Sequence, residues 1–162
     1  MTQPFPNYPI PQDLTYEFLG TFARCEYALK CSSFAKSKRG SVEANWDDFA
    51  KSIDRHFCRI VSVEFQAAVN LLLTEPPRKQ VLLDGRLSWK DSPPDKRLPI
   101  AQQALLMVRR IRNNLFHGAK IWVPEYGNRN RDIQLLRASL IVLKQSFSII
   151  GEVQAAYEYG MF

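Results

Sequence analysis

From Pro99 to Leu115, and again from Ile133 to Tyr157, apolar residues recur at steps of three and four. That spacing lays a stripe along a helix and cannot lay one along a strand, so it commits the chain to packed helices. The first stripe is Ala101, Ala104, Leu105, Val108, Ile111 and Leu115, with Pro99 suited to the first turn and Gly118 to the C-cap. The second is Ile133, Leu136, Leu140, Leu143, Phe147, Ile150, Val153 and Tyr157. It reads as one long last helix that starts near Asn128 to Asn130, with Asp132 favourable in its first turn.

Two earlier regions repeat the pattern. Helical periodicity begins at Asp13, a candidate N-cap, and runs through Leu14, Phe18, Phe22, Cys25, Ala28 and Leu29 to about Phe34. Trp46, Phe49, Ile53 and Phe57 align on a second helix. The run from Ile60 to Leu73 either continues that helix or follows a kink, because no proline separates them. Lys36 to Asn45 is polar, contains Gly40, and reads as a loop. Residues 76–99 lose the helical period. Pro76-Pro77 and Pro93-Pro94 bracket them, and Asp84-Gly85 between short apolar runs is a hairpin-type turn signal. That insertion reads either as a surface loop tethered by Leu83 and Trp89 or as a functional cover.

The sequence therefore predicts an all-α, up-and-down bundle of four to five helices with an irregular Pro-rich insertion. Residues 1–12, with four prolines, form an extended lead-in, and 13–162 form a single helical domain. Lys and Arg outnumber Asp and Glu by 22 to 16, a net charge of +6 that favours an anionic partner such as RNA. No apolar run approaches the roughly 20 residues needed to span a bilayer, so no membrane association is expected. The start, MTQPFPNYPIPQ, lacks the basic and apolar blocks of a signal peptide. Cys25, Cys31 and Cys58 contain no CxxC pair, which points to a reducing, cytoplasmic setting and small core roles for Cys25 and Cys31. His56 has no partner at metal-ligand spacing. Phosphate loops and nucleophile elbows are missing from the sequence, and neither a metal nor an organic cofactor is expected.

The chemistry concentrates in RNNLFHG, Arg112 to Gly118. Arginine suits a phosphodiester because its planar fork donates two parallel hydrogen bonds and stays charged. Histidine suits proton transfer because its pKa lies near neutrality. On an unbroken helix Arg112 and His117 sit about 140° apart, so His117 must leave the regular path at Gly118 to face the arginine. Asn113, four residues before His117, is placed to fix the imidazole tautomer. Arg109, Arg112 and Lys120 form a basic strip leading to the histidine, and Glu26 is a candidate carboxylate to orient Arg112. Trp122 and Tyr126 either stack bases or pack on the bundle end. Cleavage of RNA through its own 2′-hydroxyl needs two proton-transfer groups, and one chain supplies one suitable histidine. A two-fold homodimer would supply both.

Arg112, Asn113 and His117 resemble the R-x4-6-H motif of the HEPN superfamily, with a polar residue directly after the arginine. VRRIRNNLFHGAK is similar to the corresponding helix end in that family, and the first helix, with FARCEYALK and Glu26, is similar to its opening helix. The resemblance implies a helical-bundle homodimer and a metal-independent endoribonuclease of toxin–antitoxin or defence systems. In such an enzyme Arg112 and His117 are catalytic, Asn113 supportive, and the product carries a 2′,3′-cyclic phosphate. An antitoxin or other defence-system protein would be a partner. HEPN toxins controlled by adenylylating partners carry a tyrosine two residues after the histidine, where this chain has Ala119. The alternative function is a non-catalytic HEPN-like module that binds RNA, a nucleotide or a protein. A third is a helical interaction subunit.

Overall fold

The computed structural model describes residues 10–116 and 128–160. The chain is mostly helical, with two small two-stranded sheets among the described residues. In order, the described elements are α1 (Gln12–Lys30), β1 (Ala35–Lys38), β2 (Ser41–Ala44), α2 (Trp46–Phe57), α3 (Val63–Thr74), β3 (Lys79–Leu83), β4 (Arg86–Lys90), α4 (Ile100–Phe116), α5 (Arg129–Ser146) and α6 (Gly151–Tyr159). One buried apolar cluster draws residues from all six of these helices. Helix α5 packs against α1, α3 and α4, α2 packs against α4, and α6 folds back onto α1.

The helix starts and stops have local causes. Asp13, expected as a cap, lies inside the first turn of α1, and the helix stops at Lys30, short of Phe34. The lead-in is not wholly external, since Ile10 is buried in the core. Asn45 Oδ1 accepts from the Asp48 amide and starts α2. Ser62 Oγ accepts from the Phe65 amide and starts α3. The ambiguous stretch after Phe57 is thus two helices, and Ser62 supplies the break that no proline marks. Asp54 on α2 accepts from the Ala101 amide at 2.9 Å, so one helix caps the N-terminus of another. Pro99 stands just before α4, its carbonyl taking the Gln103 amide at 3.0 Å.

Two sequence expectations change, and one turn signal is met. The polar stretch read as a loop, Lys36 to Asn45, is largely the β1–β2 hairpin, turning at Arg39 (φ 51°) and Gly40 (φ 82°). The 76–99 insertion contains the β3–β4 hairpin, which turns at Asp84 (φ 48°) and Gly85 (φ 74°) as the Asp-Gly pair indicated. The last stripe spans two helices, because the chain bends by 118° between α5 and α6. No single helix among the described residues is long and apolar enough to cross a membrane.

A chain of rings holds α1, α2, α5 and α6 together. Phe22 stacks on Trp46 at 5.1 Å, and Trp46 meets Phe147 edge-on at 5.6 Å. Phe147 also meets Phe49 at 4.8 Å and Tyr157 at 6.2 Å. Arg24 reinforces the α1–α6 contact by donating to the Tyr157 carbonyl at 2.6 Å and lying over the Tyr157 ring. Cys25 is fully buried, and burial pushes its thiol well above the ordinary cysteine range. It behaves as a small apolar residue.

Candidate nucleic-acid interface at the end of α4

The C-terminal half of α4 presents two polar faces with different work. Arg110 and Asn114, one turn apart, turn toward the insertion. Arg110 Nη1 donates to the carbonyls of Pro77 (3.0 Å) and Ser92 (2.6 Å). Asn114 is buried and donates to the Arg78 carbonyl at 2.9 Å. From α5, Arg131 donates to the carbonyls of Glu75 (3.1 Å) and Pro76 (2.8 Å). The insertion is therefore clamped through its backbone at both ends. Leu83, expected as a tether, is 60% exposed at the hairpin tip, and Trp89 is half-buried. Burial pulls the Arg110 guanidinium below the ordinary arginine value, the cost of holding a cation among carbonyls.

The other polar face carries Arg109, Arg112, Asn113 and Phe116. At about 100° per residue these four fall within an arc of about 100°. Arg109 is already engaged, 3.4 Å from Asp47 in the first turn of α2. Arg112 is half-buried between two rings, its guanidinium carbon 5.4 Å from the centroid of Phe22 and 4.9 Å from that of Phe116. Phe22 belongs to the aromatic chain described above and is buried, so the guanidinium rests against the core. Arg112 Nη1 donates to Asn113 Oδ1 at 3.0 Å. Its Nε is buried and has no acceptor among the described residues. No acceptor for Nη2 is present among the described residues, so donors remain for an anion.

One expected contact is replaced, and a second residue gains a described partner. Glu26 pairs with Lys30 at 3.5 Å, one turn along α1, and makes no contact with Arg112 among the described residues. The orienting groups around Arg112 are instead Phe22, Phe116 and Asn113. Asn113 is exposed, and its carbonyl oxygen serves Arg112; its amide nitrogen has no acceptor among the described residues. His117, Gly118, Lys120, Trp122 and Tyr126 lie outside the described residues. His56 is exposed in the last turn of α2. No group of three His, Cys, Asp or Glu side chains lies close enough to hold a metal among the described residues.

Phe116, Arg110, Asn114 and Arg131 were not singled out from the sequence as contact residues. Phe116 carried a readable signal: it stands four residues after Arg112 and seven after Arg109, off the buried stripe. The carbonyl clamps carried none, because a backbone acceptor can be any residue.

Replacing Arg110 with alanine removes charge-assisted bonds to two carbonyls and should cost about 2 kcal/mol. The amides of β3 and β4 should then exchange faster with deuterium, while those of α1 and α5 keep their protection. Uniform protection across the hairpin would mean that Arg110 does not hold it.

Comparison with family models, with curated proteins and with solved structures gives no match to this chain.

Proposed function

We propose that the chain is an HEPN-like, metal-independent endoribonuclease, working as a homodimer and belonging to a toxin–antitoxin or defence system of the cytoplasm. The helices are read as an HEPN-like up-and-down bundle whose insertion carries the β3–β4 hairpin. The observation that carries the reading is the setting of Arg112. A guanidinium held between two rings, with Nη2 free of any described acceptor, stands five residues before the only histidine of RNNLFHG. Arg112 would bind the scissile phosphate and stabilise the charge that develops on it. His117 would move the protons, and Asn113 would hold the guanidinium and its neighbour in register. Arg109 and Lys120 would bind the flanking RNA backbone. Two copies related by a two-fold axis would place both imidazoles on one strand, one as base and one as acid.

Purified protein incubated with total RNA in excess chelator tests the reading. Fragmentation of the RNA is the expected result. Intact RNA that nevertheless co-migrates with the protein would support the non-catalytic binding module instead. Light scattering should give the mass of two chains; a lone chain would remove the second imidazole from the mechanism.

A further inference from the structure

We infer that Phe116 is a stacking platform for a nucleobase, and that the ligand of this face is unpaired RNA. The inference rests on the reading of the α4 end as an RNA site, and it adds the substrate class that the catalytic residues leave open.

Phe116 is 58% exposed at the end of α4, whereas Ala104, Leu105, Met107, Val108, Ile111 and Leu115 on the same helix are buried. A lone exposed apolar residue is ordinary. This one differs in its company: the Arg112 guanidinium lies 4.9 Å from its centroid and is itself backed by Phe22. The ring is thus held against a fixed cation while more than half of its surface stays open to solvent. Arg109, Arg112 and Phe116 share one face of α4, so cations and an aromatic run along a single track. Arg109 is partly spent on Asp47. Arg112 is the cation with donors to spare, and the open ring is its immediate neighbour.

A phosphodiester bound by Arg112 brings its own nucleotide next to Phe116. Every base has a π-face, so an exposed ring beside a phosphate site binds bases with little regard for sequence. In duplex RNA those faces are covered by neighbouring base pairs, and only loops, bulges and single strands can present one. The geometry therefore selects unpaired RNA without requiring a base-specific hydrogen bond.

The test uses the full chain and a single-stranded 2′-O-methyl oligonucleotide carrying 2-aminopurine, which lacks the 2′-hydroxyl needed for cleavage. Stacking quenches its fluorescence. Wild type should bind and quench, and a matched duplex should compete poorly. Phe116→Leu should bind roughly 5- to 150-fold more weakly, with quenching lost. Phe116→Trp should restore both. Because residue 116 is exposed, both variants should keep the wild-type circular dichroism spectrum. Wild type that cuts RNA in chelator, beside a Phe116→Leu variant with unchanged affinity and quenching, overturns this inference and leaves the nuclease reading standing. Quenching that depends on Phe116 without any cleavage does the reverse. A wild type that neither binds nor cuts overturns both.

Discussion

Arg112→Ala is expected to lower the rate of RNA cleavage by about 10²–10³-fold while the protein stays folded. The rate term follows from losing a fixed donor aimed at the charge of the transition state. The stability term is small because the side chain is only half-buried, and the ring contacts with Phe22 and Phe116 are worth about 0.5–1 kcal/mol each at a partly exposed site. Arg112→Lys keeps the charge but loses the planar fork that sits between two rings, so it should recover only part of the rate. Single-turnover kinetics beside a melting curve separate the two effects. An Arg112→Ala protein that melts normally and cuts at the wild-type rate would show that the guanidinium is a bystander.

Phe147→Ala should destabilise the fold by about 3–5 kcal/mol, the usual cost of emptying a buried aromatic site. Phe147 is 2% exposed and touches Trp46, Phe49 and Tyr157 where α5 gives way to α6. Losing it uncouples α2 and α6 from the centre and leaves a cavity that rigid neighbours cannot close. Against a typical total of about 5–15 kcal/mol, this is a large fraction. Thermal denaturation should shift down by roughly 6–20 °C. Tyr159→Ala, at a side chain 76% exposed, should stay within about 0.5 kcal/mol of wild type. Equal melting of the two variants would mean that the ring cluster does not carry the core.

The same ring cluster shows what was readable in advance. Phe18, Phe22, Cys25 and Leu29 share a helical stripe, and all four are buried, because burial of one face is what the three- and four-residue spacing encodes. Asp84-Gly85 announced its turn because both central residues of that turn need positive φ. The β1–β2 hairpin gave no such notice. Its strands, Ala35–Lys38 and Ser41–Ala44, are exposed or half-exposed throughout, so no alternation marks them, and Arg39 is not a residue that advertises a left-handed turn. The bend before Gly151 was hidden because apolar residues continue in phase across it, with Phe147 and Val153 both buried.

At the site, the sequence could propose Arg112 and Asn113 as neighbours because they are adjacent in the chain. It could not place Phe22 against the guanidinium or send Glu26 to Lys30. The first is a property of the packed core, whereas the second lies within α1 itself. Lys30 one turn beyond Glu26 was the only local hint, an i,i+4 pair that competes with any long-range partner.

The most direct measurement uses an oligonucleotide with one ribonucleotide in an otherwise 2′-O-methyl chain, incubated in excess chelator with wild type and with His117→Ala. Cleavage at the single ribonucleotide is expected, leaving a 2′,3′-cyclic phosphate, and the His117→Ala protein should be slower by about 10²–10⁴-fold. Cleavage that needs a divalent ion, ends in a 3′-hydroxyl, or proceeds at full rate without His117 would contradict the proposed chemistry.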